Sequence, residues 1–305
     1  MEEEKTKSRL ERVAEPWAEE VHFLNRSSIP ATLYHYTDAA GLWGMLKHGK
    51  IWATDHRFLN DKSEITHTYH TARDIVMERM ARTKDELISS LYQHILRHQS
   101  ADIQACRFIF SLSEEKDDLS QWRGYAREGQ GFTIGLSGPK IFKVAEPRDS
   151  PFSLMRIEYD HEKQRSVLVR ALEELEEELK LASQEEGADA DQLANEAAMW
   201  FAWVADVRAM TNKHSSFRSE REWRIVSVVS GDGEPNEIKV RSSGLRLVQY
   251  TELAFPAGDG KLPIVSIGIG PGFSGGEEVH AVRSLCREVG YDPEIYFADT
   301  PYRRT

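Results

Sequence analysis

The sequence predicts an α+β fold in which central antiparallel and mixed strands are surrounded by helices, and three observations carry that expectation. Ala105–Leu112, ACRFIFSL, alternates with the period of two that a pleated strand requires. Glu162 to about His214 reads as two helices separated by Gly187. Strand-like segments then resume at Glu222–Val229, Glu237–Val240 and Leu245–Tyr250, spaced as a meander with turns at Gly231–Gly233 and Ser242–Gly244.

Taken in order, residues 1–28 form a charged helical arm, with Val13, Trp17, Val21 and Leu24 at helical spacing and expected to pack on the body or on a second subunit. Residues 29–305 follow as one α+β domain carrying the helical insertion 162–214. Leu33–Tyr36 is an aromatic-rich strand that places Leu33, His35 and Thr37 on one face and Tyr34 and Tyr36 on the other. Thr37 or Asp38 caps the next helix, Lys47 and His48 suit its C-terminal dipole, and Gly49 closes it. Ile51–Thr54 is a short strand, and Asn60–Asp61 an Asx turn leading into a helix over about Ser63–Ala81. Thr83 and Glu86 have capping-box spacing ahead of Leu87, Leu91 and Ile95. Leu119–Arg127 is a short helix or turn, Gly131–Leu136 and Met155–Tyr159 are strands, Ile264–Gly268 is a buried strand, Glu277–Val289 a helix and Glu294–Ala298 a last strand.

The totals narrow the class. The formal charge is −11, but Ala171–Asp191 alone holds nine acids and one lysine, so the body is close to neutral and net charge does not point to nucleic acid. Apolar stretches are interrupted every few residues, and a soluble, cytoplasmic protein without membrane contact is expected. Cys106 and Cys286 lie far apart in apolar patterns, which suits buried thiols better than a disulfide.

Four features could carry chemistry. On an extended chain Glu220, Glu222 and Arg224 project to one face, either as a strand in which Arg224 pairs a neighbouring acid or as two acids where positive charge develops. His35 with Thr37 is either a partly buried histidine satisfied by backbone or a ligand contact. Ser111-x-Ser113, with Trp122 and Tyr125 beyond, suits a ribose and a stacked ring, or simply covers an edge. Gly270, Gly272 and Gly275 spell G-x-G-x-x-G, yet too little chain follows for a dinucleotide fold, and Pro271 and Phe273 suggest a turn. His67 with His70, and His94 with His98, share helix faces without a third ligand, so no metal is expected.

Several motifs together resemble one bacterial family of unknown function, DUF2971: LYHYT with the following ML-x-x-G-x-I-x-A-T and FLND-x-x-E, FSLSE, WRGYA with GQGF, SEREWRIV, LPIVSIGIGPG and TPYRR, over roughly Thr32–Arg304. A second resemblance is to ADP-ribosyltransferase folds, whose split sandwich carries His or Arg on a first strand, Ser or Tyr on a middle strand and Glu, often E-x-E, on a late one. His35, Ser111-x-Ser113 and Glu220-x-Glu222 occur in that order, although Leu112 interrupts the Ser-Thr-Ser motif and the helical insertion departs from the pattern.

That resemblance implies an NAD-consuming enzyme that transfers ADP-ribose to a macromolecule or hydrolyses NAD, such as a toxin or phage-defence effector. It implies that Glu222 holds the ribose and stabilises developing charge while Glu220 activates a nucleophile. His35 and Thr37 would hold the adenosine side or the nicotinamide ribose. Tyr36, Trp122 or Tyr125 would stack a ring, with Asn60, Ser111, Ser113 and Arg224 completing the NAD contacts. Two rivals remain: a non-catalytic nucleotide- or peptide-binding module whose 162–214 helices engage a partner or a second copy, and a metal-dependent nuclease. Exposure of Trp200, Phe201 and Trp203 would favour the partner site.

Overall fold

A computed structural model describes residues 8–13, 16–17, 29–59, 63–100, 106–147, 150, 152–229, 238–243, 246–255 and 260–302. Most of the arm expected over 1–28, and the turn at Asn60–Asp61, lie outside these. The chain is α+β and divides into two compact units, one of residues 1–24, 60–104 and 157–215, the other of 25–59, 105–156 and 216–305.

The second unit holds a mixed, open sheet of ten strands. They are β1 (Thr32–Thr37), β2 (Lys50–Asp55), β3 (Cys106–Ser113), β4 (Phe132–Ser137), β5 (Ser153–Arg156), β6 (Glu222–Val229), β7 (Lys239–Ser243), β8 (Arg246–Ala254), β9 (Ile264–Ile269) and β10 (Glu294–Phe297). Their order is β10-β9-β4-β1-β3-β2-β8-β7, with β6 also on β3 and β5 on β6. Alternation in the sequence matches the observed faces: Phe108, Phe110 and Leu112 of β3 enter the core with Leu33, Ile134, Trp223 and Ile267. The meander expected from Glu222 to Tyr250 is not formed. β7 and β8 pair as a hairpin, but β6 pairs with β3 along its whole length, from Cys106↔Val229 to Ser113↔Glu222.

The branch at β3 leaves its other edge to two strands. β2 occupies it at Phe108 and Ile109, and β1 meets it at Tyr34↔Ser113, so the two diverge around Phe110–Leu112. Helix α1 (Ala39–His48) connects β1 to β2. Asp38 caps it by accepting from the Gly41 N–H at 2.9 Å, and Gly49 ends it at φ 61°.

The other unit is helical: α2 (Ser63–Met80), α3 (Glu86–Ser100), α6 (His161–Ala182) and α7 (Ala190–Thr211). Asp85, rather than the expected Thr83, caps α3 by accepting from the Leu87 and Ile88 N–H groups at 3.0 and 3.3 Å. Leu168, Leu172, Leu175 and Leu179 of α6 pack with the small Ala194, Ala197, Ala198 and Ala205 of α7. The acidic run on α6 is matched inside its unit. Arg79 bridges Glu173 and Glu176, Arg9 pairs Glu178, and Trp17 donates to Glu174. No helix among the described residues is long and apolar enough to cross a membrane.

The short helices α4 (Leu119–Tyr125) and α5 (Gly138–Ala145) and the final helix α8 (Glu277–Val289) complete the sheet unit. The G-x-G-x-x-G run has a structural use. Gly270 N–H donates to Gly131 O and Gly272 N–H to Gly129 O, both at 2.9 Å, so two glycine loops cross backbone to backbone. A side chain at 270 would put Cβ 2.3 Å from Gly129 O, where no rotamer gives relief. Gly270→Ala should therefore destabilise the protein by roughly 2–4 kcal/mol, read as a lower denaturation midpoint with an unchanged slope. Gly276→Ala, whose Cβ meets open space, is the control and should change little.

Candidate functional site

The divergence of β1 and β2 sets the chemistry of His35. Its Nδ1 lies 2.9 Å from Ser111 O on the β3 edge, and because a carbonyl only accepts, Nδ1 carries the hydrogen and Nε2 the lone pair. Its ring stacks on Phe110 with centroids 4.0 Å apart. Burial, with a smaller push from the Arg241 charge, lowers its pKa to about 4 against the backbone hydrogen bond, so the imidazole is neutral at pH 7.

His35 lines a small pocket with Tyr34, Tyr36, Ser111, Gln121, Tyr125, Glu220 and Glu222. Both acids reach it, but not along an extended strand. Glu220 ends a 3₁₀ turn over Ser215–Glu220, Arg221 adopts φ 43°, and only then does β6 begin at Glu222. The left-handed Arg221 is held by Glu114 and Glu115 across the turn. Glu222 receives Arg224 through Nε and a terminal nitrogen at 2.8 and 3.0 Å, with both side chains buried. This bidentate pair lets a carboxylate stay ionised inside the protein. Tyr125 Oη donates to Glu220 Oε1 at 3.2 Å from the exposed rim.

Other expected contacts have different duties. Trp122 is fully buried, donates to Asp117 at 2.7 Å and meets Tyr36 edge-on at 4.9 Å, so it cannot stack a ligand. Tyr36 touches the pocket, but its hydroxyl bridges Glu115 O and the Asp118 N–H at 2.8 and 2.9 Å. Ser113 donates to Glu220 O at 2.6 Å and accepts from the Glu115 N–H, which makes it an anchor of the Glu220 turn. Thr37 does not line the pocket; it lies against Gly41, where a Cβ would stand 2.0 Å from its Oγ1. Asn60 lies outside the described residues. Gln121 and Tyr34 are pocket residues that the sequence reading missed. Gln121 stands four residues before Tyr125 on α4, and that spacing puts both on one helix face.

Residues 121–225 match the family described as Protein of unknown function (DUF2971). The DUF2971 match runs from Gln121 through Glu220, Glu222 and Arg224 to Ile225, and so covers the α4 and β6 sides of the pocket while β1 lies outside it. No curated protein and no solved structure matches the chain.

The His35 environment has a pH signature. Because its folded pKa lies below the ordinary 6.5, the unfolded chain binds the proton more readily, and stability is lost as pH falls from about 6.5 towards 4. Comparison of wild type with His35→Gln in chemical denaturation at pH 7 and pH 4.5 should show a pH-dependent difference on the order of 2 kcal/mol. In the wild type, the His35 ring carbon resonances should titrate only below about pH 5.

Proposed function

We propose that the protein cleaves the bond between ribose and nicotinamide in NAD, passing ADP-ribose to a macromolecular acceptor or to water. The observation that supports this most is the convergence of two carboxylates, Glu220 and Glu222, with a neutral imidazole on one small pocket. In NAD the nicotinamide nitrogen is already cationic. It leaves with the bonding electron pair as neutral nicotinamide, and no general acid is needed. Positive charge then develops on the ribose carbon and its ring oxygen. Glu222, kept ionised by Arg224, is placed to hold the ribose hydroxyls and oppose that charge. Glu220 accepts the proton of the incoming water or acceptor hydroxyl as the new bond to the ribose carbon forms. Tyr125 at the rim offers a ring face, and His35 Nε2 accepts a hydroxyl hydrogen.

A second reading, a partner-binding module, has one observation in its favour: Met199 and Trp203, four residues apart on α7, are 54% and 37% exposed. Against it, Phe201 is fully buried in the helical core and Trp200 packs on the same cluster.

Nicotinamide release from NAD, followed by chromatography, tests the proposal. Glu220→Gln should lower it about a hundredfold, the usual cost of one electrostatic contact, with the melting temperature close to wild type. Glu222→Gln should instead unfold readily, since it strands the buried Arg224 and costs about 3–5 kcal/mol. Wild-type protein that releases no nicotinamide at millimolar NAD, or a Glu220→Gln protein with full turnover, sinks the proposal.

A further inference from the structure

Beside the pocket, on the face of β2, β7 and β8, stands a cation without a carboxylate. Arg241 of β7 is partly buried over the adjoining rings of Trp52 and Tyr250, with its guanidinium carbon 5.9 and 5.7 Å from their centroids. One terminal nitrogen donates to Thr54 Oγ1 at 2.9 Å. Its Nε is buried with no acceptor, and the indole Nε1 of Trp52 is in the same condition. Two buried donors left over on adjacent side chains are unusual, because such groups normally find a partner.

The neighbouring charges sharpen the point. Arg57 is bound to Asp55 with contacts down to 2.6 Å, and Lys50 and Lys239 share Glu252 at 2.8 Å each. Asp38, the acid nearest Arg241 on the β1 side, caps α1 and pairs Arg127 at 3.1 Å. Asp55, Glu252 and Asp38 thus each have another cation or a cap to serve. Arg241 keeps a planar fork of donors beside two aromatic rings, and that fork is what lets arginine bind planar or tetrahedral oxyanions.

The geometry points to a phosphate-binding site formed by Arg241, Trp52 Nε1 and Thr54, which receives the phosphate group of a ligand whose ring or sugar lies in the adjacent pocket. The choice of phosphate rests on the nucleotide reading of that pocket, while the unpartnered donors stand without it. The charge of Arg241 is felt at His35, which lines that pocket.

Inorganic pyrophosphate and ADP-ribose, titrated into the full-length protein by calorimetry at two salt concentrations, test the assignment. The wild type should bind both, more weakly as salt rises. Arg241→Gln should lose at least tenfold in affinity for each. Arg241→Lys, which keeps the charge but not Nε or the fork, should lose severalfold, as should Trp52→Phe, which keeps a ring and removes the indole N–H. Circular dichroism melting identifies any variant that does not fold, and the remaining variants then carry the comparison. No pyrophosphate binding by wild type, or equal affinity in folded Arg241→Gln, overturns the site. Pyrophosphate binding that depends on Arg241, together with no nicotinamide release from NAD, supports this site and removes the enzymatic proposal alone.

Discussion

Every feature of the pocket depends on how β3 spends its two edges. One edge is committed to β6 through eight paired residues, which delivers Glu222 opposite Ser113 and Arg224 opposite Ser111. The other is divided between β1 and β2, and where they part the carbonyl of Ser111 has no strand to donate to it. His35 supplies that hydrogen from its side chain. A backbone group has to be satisfied, and satisfying it fixes the tautomer of the one imidazole at the site. The same divergence opens the space that the pocket occupies.

Charge is handled differently on the two sides of that space. On the β6 side the acids arrive with their cations: Arg224 on Glu222, and Arg221 on Glu114 and Glu115. On the β7 side a cation arrives with none, and aromatic rings take the place of the carboxylate. An elongated ligand with a sugar at one end and an anion at the other would match both.

Much of the fold was legible because the relevant signals are local. Alternation in β3, the Asp38 cap, and Gly49 at the end of α1 depend on neighbours a few residues away. What failed was long-range or conformational. Nothing in Glu222–Val229 announces that it will pair with β3 rather than with the next strand, since any of these partners buries the same apolar face. The E-x-E spacing suggested one extended segment, whereas a left-handed Arg221 breaks it and still leaves both acids on the pocket. Trp122 and Tyr125 were indistinguishable as aromatic residues on a short helix, yet one is core and the other rim. Arg241 carried no signal at all, because its meaning lies in the acid it lacks.

The pairing of β3 with β6 also orders events in time. Ser111 and Arg224 are partners although on the order of a hundred residues separate them in the chain, and contacts of that kind form late because the intervening loop must first be closed. As the chain emerges during synthesis, β1 to β4 exist before β6 does, with one edge of β3 unpaired and apolar. The cavity can therefore close only once β6 has emerged, and a nascent chain that has not reached Glu220 holds the histidine but neither of the acids.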